Sequence, residues 1–483
     1  MNYKMIGRFL SQIVAIEAVF LIPALAISTG YGEWSTVQAF ILSIAIMLAV
    51  SGILYALCRK SGKLFGAKEG LVCVGLSWMV MSLLGALPFT LSGHIPHYVD
   101  ALFETVSGFT TTGSSVLSDV ENLPKGLLFW RSFTNWIGGM GVLVFLLAIT
   151  SGQDKGFTMH LMRAESPGPD VGKLVPRIKD TAKILYYIYI GMTVLCFVLL
   201  LFGDMNWLEA LCSSLSTAGT GGFGVRGDSF ASFSPYSQIV VTVFMLLFGI
   251  NFSCYYLLLL RKFKSVFFDE ELRLYISIVI ISIILIAWNI YGLYGNLADS
   301  LRHSAFQVGT IISTSGFAST DFDQWPTFSK GILLILMMIG ACAGSTAGGF
   351  KCGRLLLVCK SLGRNIRRIL NPQKVQIIRN NGKTVNETVL DNTNAYLAAY
   401  VILSVLCFAL ISLDGFSIET NVSATLACFN NIGPGFAAVG PMCNYSAYSY
   451  FSKIVLSIAM LAGRLEIFPI LVLFSHSTWS RKH

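Results

Sequence analysis

Long apolar runs separated by short polar breaks dominate the chain from end to end. Runs near the 20 or so residues that a bilayer-crossing helix needs fall at 9–29, 36–58, 70–92, 126–150, 182–203, 236–260, 273–294, 329–360, 394–413 and 446–475. Between them lie four segments too short to cross: 98–110, 206–218, 299–312 and 419–431. Each begins near an acidic residue (Asp100, Glu209, Asp299, Glu419), which suits the positive end of a helix dipole. Each ends at a glycine turn: Thr110-Thr-Thr-Gly113, Gly219-Thr-Gly-Gly222, Ser313-Thr-Ser-Gly316 and Ile432-Gly-Pro-Gly435. A Phe follows the last glycine in three of the four turns, as Phe223, Phe317 and Phe436. The pattern predicts an all-α integral membrane protein. Two leading helices (1–66) precede four pseudo-symmetric helix–pore-helix–helix repeats, at 67–155, 156–265, 266–372 and 373–483.

Irregular backbone at membrane depth is tolerated only where it lines a cavity or is buried in protein. Four such turns together supply a ring of carbonyls around a central pore. Carbonyl oxygens replace the water shell of a bare cation without a fixed negative charge, so the ion still leaves. Turning carbonyls to one axis strains ordinary residues and suits glycine. The candidate ion ligands are therefore Thr111, Thr112 and Gly113; Thr220, Gly221 and Gly222; Thr314, Ser315 and Gly316; and Gly433, Pro434 and Gly435. One Gly-Ser-Thr cluster alone is usually a loop; four, each after a short segment and before a long apolar run, point to a pore.

The 329–360 run is too long for one span and is interrupted by Gly344-Ser345-Thr346-Ala347-Gly348-Gly349. Three glycines in six residues break a helix, and the break is expected beneath the turns as a plug. A packing kink of small residues is the plainer reading. Arg464 lies inside the last apolar run, where a charge is costly and marks function by default; Glu466 is near it in sequence. Arg131 reads as a structural arginine paired with Glu104. Glu17, in the first run, has no functional account.

Composition narrows the class. Of the 483 residues 54% are hydrophobic and 12% charged, with a mean hydropathy of +0.68, against about 25% charged in ordinary globular chains. The net charge of +9 does not call for nucleic acid, because it concentrates in one set of loops. With the N-terminus inside, the inner segments 1–8, 59–69, 151–181, 261–272, 361–393 and 476–483 hold most of the Lys and Arg. That satisfies the positive-inside rule with both termini cytoplasmic. The outer segments carry Glu33, Asp119, Glu121, Asp228, Asp321, Asp323 and Asp414, which would concentrate cations or serve as ordinary loop acids. The 11 cysteines show neither a disulfide framework nor a zinc pattern. Residues 1–30 read as a retained membrane helix rather than a leader. Residues 375–385 alternate around Asn381-Gly382, a small hairpin signal in the basic inner loop.

The motifs resemble those of the Trk/Ktr/HKT superfamily of potassium transporters, and within it the TrkH branch. The residues that carry the likeness are Ser107-Gly-Phe-Thr-Thr-Thr-Gly-Ser114, Gly221-Gly-Phe223, Thr314-Ser-Gly-Phe317, Asn431-Ile-Gly-Pro-Gly-Phe436, Trp130-Arg-Ser-Phe-Thr-Asn-Trp-Ile-Gly-Gly-Met-Gly141 and the Gly344–Gly349 break. It covers essentially the whole chain. The resemblance implies one pore per subunit, a homodimer, potassium as the transported ion in a bacterial inner membrane, and no other cofactor. It implies that the Gly344–Gly349 loop is the gate, held through its carbonyls by Arg464. It also implies a cytoplasmic nucleotide-binding partner, TrkA, which the basic stretch Arg364–Lys383 would receive; anionic lipid headgroups fit the same residues. In the family a glycine in every turn goes with potassium selectivity, and a serine in the first with sodium preference in some plant relatives; here that position is Gly113. The extra glycine in the second turn and Pro434 in the fourth make the ring only approximately fourfold.

Three function classes compete. A potassium uptake pore leads, with a sodium- or proton-coupled symporter as its variant. A secondary transporter of a small solute also uses broken helices, but normally with two repeats. An intramembrane protease would need a histidine at matching depth to Ser345, and no predicted span supplies one. No P-loop or dinucleotide fingerprint is present, so nucleotide control must come from a partner, and the chain is not expected to be an enzyme.

Overall fold

The computed structural model describes residues 1–59, 67–141, 178–374 and 376–479. Residues 60–66 of the expected inner segment 59–69, the end of the 126–150 run, the basic segment 151–177, Val375 and the last four residues lie outside these. Among the described residues six helices are long and apolar enough to cross a membrane: Tyr3–Gly30, Trp34–Cys58, Lys68–Leu91, Lys183–Leu201, Glu270–Tyr294 and Glu387–Asp414. They coincide with six of the expected runs. Their outward faces are apolar and uncovered, as with Ile276, Ile280, Ile284 and Trp288 along one side of Glu270–Tyr294. A helix apolar on its outside is a helix in lipid.

In the described parts of the other four runs the helix ends inside the run. Tyr3–Gly30 and Trp34–Cys58 lead the fold. Four times thereafter a long helix is followed by a short buried one and then by a second helix that stops early. The short helices are Tyr98–Phe109, Trp207–Gly219, Leu297–Ile312 and Ile418–Phe429. The second helices are Lys125–Gly139, Pro235–Phe248, Thr327–Ile339 and Tyr450–Arg464. The sequence led us to expect a break in the third alone. In the second, the chain turns through 89° before Phe252–Leu259, and in the fourth it breaks before Phe468–Phe474. Close packing at glycine accompanies both breaks. A Cβ on Gly249, at the bend after the second, would lie 2.6 Å from the Tyr275 hydroxyl oxygen, and one on Gly463, at the end of the fourth, would lie 1.9 Å from the Phe429 carbonyl oxygen.

Local chemistry sets the helix starts. The acids expected at the short helices all lie in the first turn, and Asn206 with Glu209 makes a reciprocal capping box. Several of the carboxylates that the charge pattern assigns to outer segments are caps and partners rather than a diffuse negative surface. Glu33 accepts from the Lys125 and Gly126 amides at 2.6 and 3.2 Å. Asp414 accepts from the Ser449 amide at 2.8 Å, and Asp321 caps the Phe322–Gln324 turn. The expected hairpin forms, with Arg379–Asn380 antiparallel to Lys383–Thr384, and Asn381 binds Asp269 and Glu270 at the start of a spanning helix.

Neighbouring units are stapled by ion pairs, one of them largely buried, that sequence spacing does not reveal. Lys453, on the last second helix, lies 2.6 Å from Asp100 on the first short helix. Lys330 lies 2.9 Å from both Asp323 and Glu419, the latter on the fourth short helix. The Lys453 side chain is only 4% exposed. Breaking such a pair from one side leaves an uncompensated charge. Lys453→Met is therefore expected to cost about 3 kcal/mol, read as a lowered thermal unfolding midpoint of the protein in detergent. An unchanged midpoint would show that Asp100 finds other solvation.

Candidate functional site

The four turns repeat one backbone geometry. Thr111, Thr220, Thr314 and Asn431 have φ of +55°, +52°, +56° and +57°, and the residue two further on, Gly113, Gly222, Gly316 or Gly433, has φ of +82°, +71°, +79° or +102°. Between them the amides of Thr112, Gly221, Ser315 and Ile432 donate to Ser107, Ser216, Thr310 and Ala427, all at 2.8–2.9 Å. Each turn thus closes its short helix with the same bond to a carbonyl five residues back, the kind of left-handed ending that satisfies orphan helix carbonyls.

This geometry corrects the fourth turn. The repeated glycine pattern puts Gly433, Pro434 and Gly435 opposite the ligands of the other turns, with Phe436 after Gly435. In the structure the matching residues are Asn431, Ile432 and Gly433. Pro434 and Gly435 lie past the turn, where the Gly435 amide donates to the Val439 carbonyl at 2.7 Å. The first three turns keep the expected register.

The turns meet edge to edge in a closed cycle. A Cβ on Gly113 would lie 2.4 Å from the Gly221 carbonyl oxygen. One on Gly222 would lie 1.9 Å from that of Ser315, one on Gly316 2.0 Å from that of Ile432, and one on Gly433 2.6 Å from that of Thr112. First touches second, second third, third fourth, and fourth first. Glycine is required here by close approach and by positive φ together. All four glycines open on a single cavity also lined by Arg131, Arg226 and Tyr445. Arg131 is paired with Glu104 at 2.6 Å, as its sequence position suggested. Its Nη1 donates to the Gly224 carbonyl at 3.0 Å, and its guanidinium sits 3.7 Å over the Phe223 ring. It joins the first turn's support to the second turn's exit.

On the other side of the ring lies the Gly344–Gly349 loop, bounded by Thr327–Ile339 and Cys352–Leu370. The Gly348 amide donates to Thr314 Oγ1 at 2.8 Å, and a Cβ on Gly348 would lie 2.5 Å from the Asn430 carbonyl oxygen. Gly344 accepts from the Phe252 amide at 3.0 Å, and Thr346 donates to Phe248 at 3.3 Å. Ser345 donates to Cys342 at 2.6 Å. Ala347 and Gly349 complete the loop. Arg464 donates to the Thr346 carbonyl at 2.6 Å and to those of Gly138 and Gly139 at 2.5 and 2.9 Å. The loop is therefore tied to three of the four second helices or the turns they support. Thr111 Oγ1 and Asn431 Oδ1, on the turn residues themselves, are buried without a hydrogen-bond partner among the described residues.

Three charged contacts escaped the sequence reading. Glu466 does not face Arg464; it pairs with Arg354 on the helix after the loop. Lys351, 3% exposed with φ +79°, donates from Nζ to the Ala347 carbonyl at 2.5 Å, and Glu271 accepts from the Ala343 amide at 2.6 Å. The one available signal was a lysine directly against a glycine-rich break in an apolar run. Glu17 is fully buried, beside Gly85, with neither carboxylate oxygen partnered among the described residues.

A bundle of membrane-spanning helices around a closed ring of backbone turns defines a membrane transport protein. The chain belongs to the TrkH family of cation transport proteins, whose model matches residues 36–482; it is thus a transporter and not an enzyme. It is 34% identical to the Trk system potassium uptake protein TrkH of Escherichia coli over 99% of this chain and all of that protein. It is 33% identical to the TrkH of Halomonas elongata over the full length of both. The crystal structure of the potassium transporter TrkH from Vibrio parahaemolyticus superposes with a TM-score of 0.89 at 30% identity, covering 99% of this chain and 100% of that one.

Proposed function

We propose that the protein takes up potassium through the ring of turns, which acts as a selectivity filter, and that the Gly344–Gly349 loop is its gate. The observation that carries this reading is the closed cycle of four glycine contacts, because only a ring presents carbonyls to one axis from all sides. In the register of the structure the filter residues are Thr111–Gly113, Thr220–Gly222, Thr314–Gly316 and Asn431–Gly433. The potassium uptake function in the names of full-length relatives agrees with it. Arg464 and Lys351 hold the loop shut beneath the filter by binding its carbonyls. Opening then requires that these bonds be exchanged, which a cytoplasmic nucleotide-binding subunit of the TrkA kind drives from the basic inner face. The protein works as a homodimer in the inner membrane with both termini cytoplasmic, and its four repeats divide as the hydropathy pattern suggests.

The test is uptake of radioactive rubidium into liposomes holding the purified protein, driven by trapped potassium, with sodium and lithium as competitors. Block by external potassium and rubidium, and not by sodium, is the expected result. Equal block by sodium would remove the filter reading. Silence from both the intact protein and a Gly344–Gly349 deletion would remove the pore.

A further inference from the structure

The fourth turn differs from the others in the fate of one carbonyl. The Gly433 oxygen accepts from the Tyr445 hydroxyl at 2.8 Å and from the Ser114 hydroxyl at 3.2 Å. Both donors are buried, Tyr445 at 2% exposure and Ser114 at 1%. Among the described residues no side chain donates to the matching carbonyls of Gly113, Gly222 and Gly316. Tyr445 reaches this place because the chain after the fourth turn crosses to the first. Its amide donates to the Ser115 carbonyl at 2.8 Å. Its ring packs against Phe103 and Tyr448, at centroid distances of 5.6 and 6.0 Å. Ser114 directly follows the first-turn glycine, so the two hydroxyls converge on one oxygen from two sides of the same junction.

A carbonyl oxygen accepts more than one hydrogen bond, and here two hydroxyls donate to it. Such an oxygen presents less negative charge to an ion in the ring. The number and field strength of coordinating carbonyls govern which cation exchanges its water shell most cheaply. A weaker field costs sodium more than potassium, because the smaller ion is the more strongly hydrated. We propose that Tyr445 and Ser114 form a clamp that lowers the field of the Gly433 carbonyl and biases the ring toward large, weakly hydrated monovalent cations over sodium. The inference rests on the reading of the ring as an ion filter and adds the residues that tune it.

The readout is the ratio of half-blocking sodium to half-blocking rubidium in the liposome uptake assay. Tyr445→Phe and Ser114→Ala each remove one donor, and each is expected to lower the ratio about threefold. The double variant should lower it about tenfold, which corresponds to about 1.4 kcal/mol. A wild-type ratio in the double variant, with or without a lower thermal midpoint, would overturn the clamp and leave the hydroxyls a packing role. Ser114→Ala alone carries the test if Tyr445→Phe does not fold. Gly113→Ser runs beside them: if it moves the ratio and the clamp variants do not, only the clamp falls. If none of the variants moves it, the filter reading falls as well.

Discussion

Gly222→Ala is expected to abolish the preference for rubidium over sodium while leaving a protein that still inserts and purifies. The new Cβ would lie 1.9 Å from the Ser315 carbonyl oxygen, 3.0 Å from its carbon and 3.1 Å from Gly316 Cα. All three are backbone atoms of the next turn, so no side chain can swing aside. The φ of +71° adds strain of about 1–2 kcal/mol for a residue with a Cβ. The ring has to open at the junction of the second and third turns, moving the Ser315 carbonyl away from its place. With a tenfold change for every 1.4 kcal/mol or so, the loss of preference should be at least roughly tenfold. The rest of the molecule is spared, because the strain lies at one edge of the ring and the helices behind it keep their caps. Competition by sodium in the liposome assay measures it. An alanine variant with intact rubidium preference would mean that the ring does not select.

Arg464→Ala and Lys351→Met should each raise uptake in the absence of any partner protein. Both side chains donate to carbonyls of the Gly344–Gly349 loop, Arg464 to Thr346 and Lys351 to Ala347. A hydrogen bond from a charged donor contributes about 1.5–3 kcal/mol. Removing one from the shut state alone would raise the open population roughly tenfold to 100-fold. Arg464 also holds the Gly138 and Gly139 carbonyls, so its variant loses some folding stability as well. Lys351→Met does not share that liability, and agreement between the two isolates the loop. If both variants stay folded by thermal midpoint and conduct no faster than wild type, the loop is not the gate.

Much of this was open to inspection in the amino-acid order. The six unbroken spans, the four short helices and their acidic first turns follow from hydropathy and charge. So does the place of the loop, because a run too long for one span with three glycines inside it has to break. The fourth turn was misread by two residues. The Gly435-Phe436 pair imitates Gly222-Phe223 and Gly316-Phe317, yet the positive φ at Asn431 and Gly433 belongs to the true turn. Asn is at home in the left-handed region, and Pro434, which has no amide hydrogen, cannot make the bond that Thr112, Gly221 and Ser315 donate five residues back; that bond is visible only in the structure. The breaks in the second and fourth second-helices were also missed, since a single glycine in an apolar run reads as ordinary helix until something packs against it.

What the sequence determined by itself was where the long apolar segments lie, which segments are too short to cross a membrane, and the place of the Gly344–Gly349 break and of three of the four turns. Those are local properties, set by about 20 residues of hydropathy or by a few residues near a glycine. Only the tertiary structure decided that the turns close into a cycle and which carbonyl each glycine meets. It alone paired Glu466 with Arg354 and Lys453 with Asp100, and brought Tyr445 onto Gly433. Glu466 and Arg354, or Lys453 and Asp100, stand more than a hundred residues apart in the chain. Side chains of one charge type are interchangeable to a pattern, and which of them meet depends on how four similar units pack around one axis.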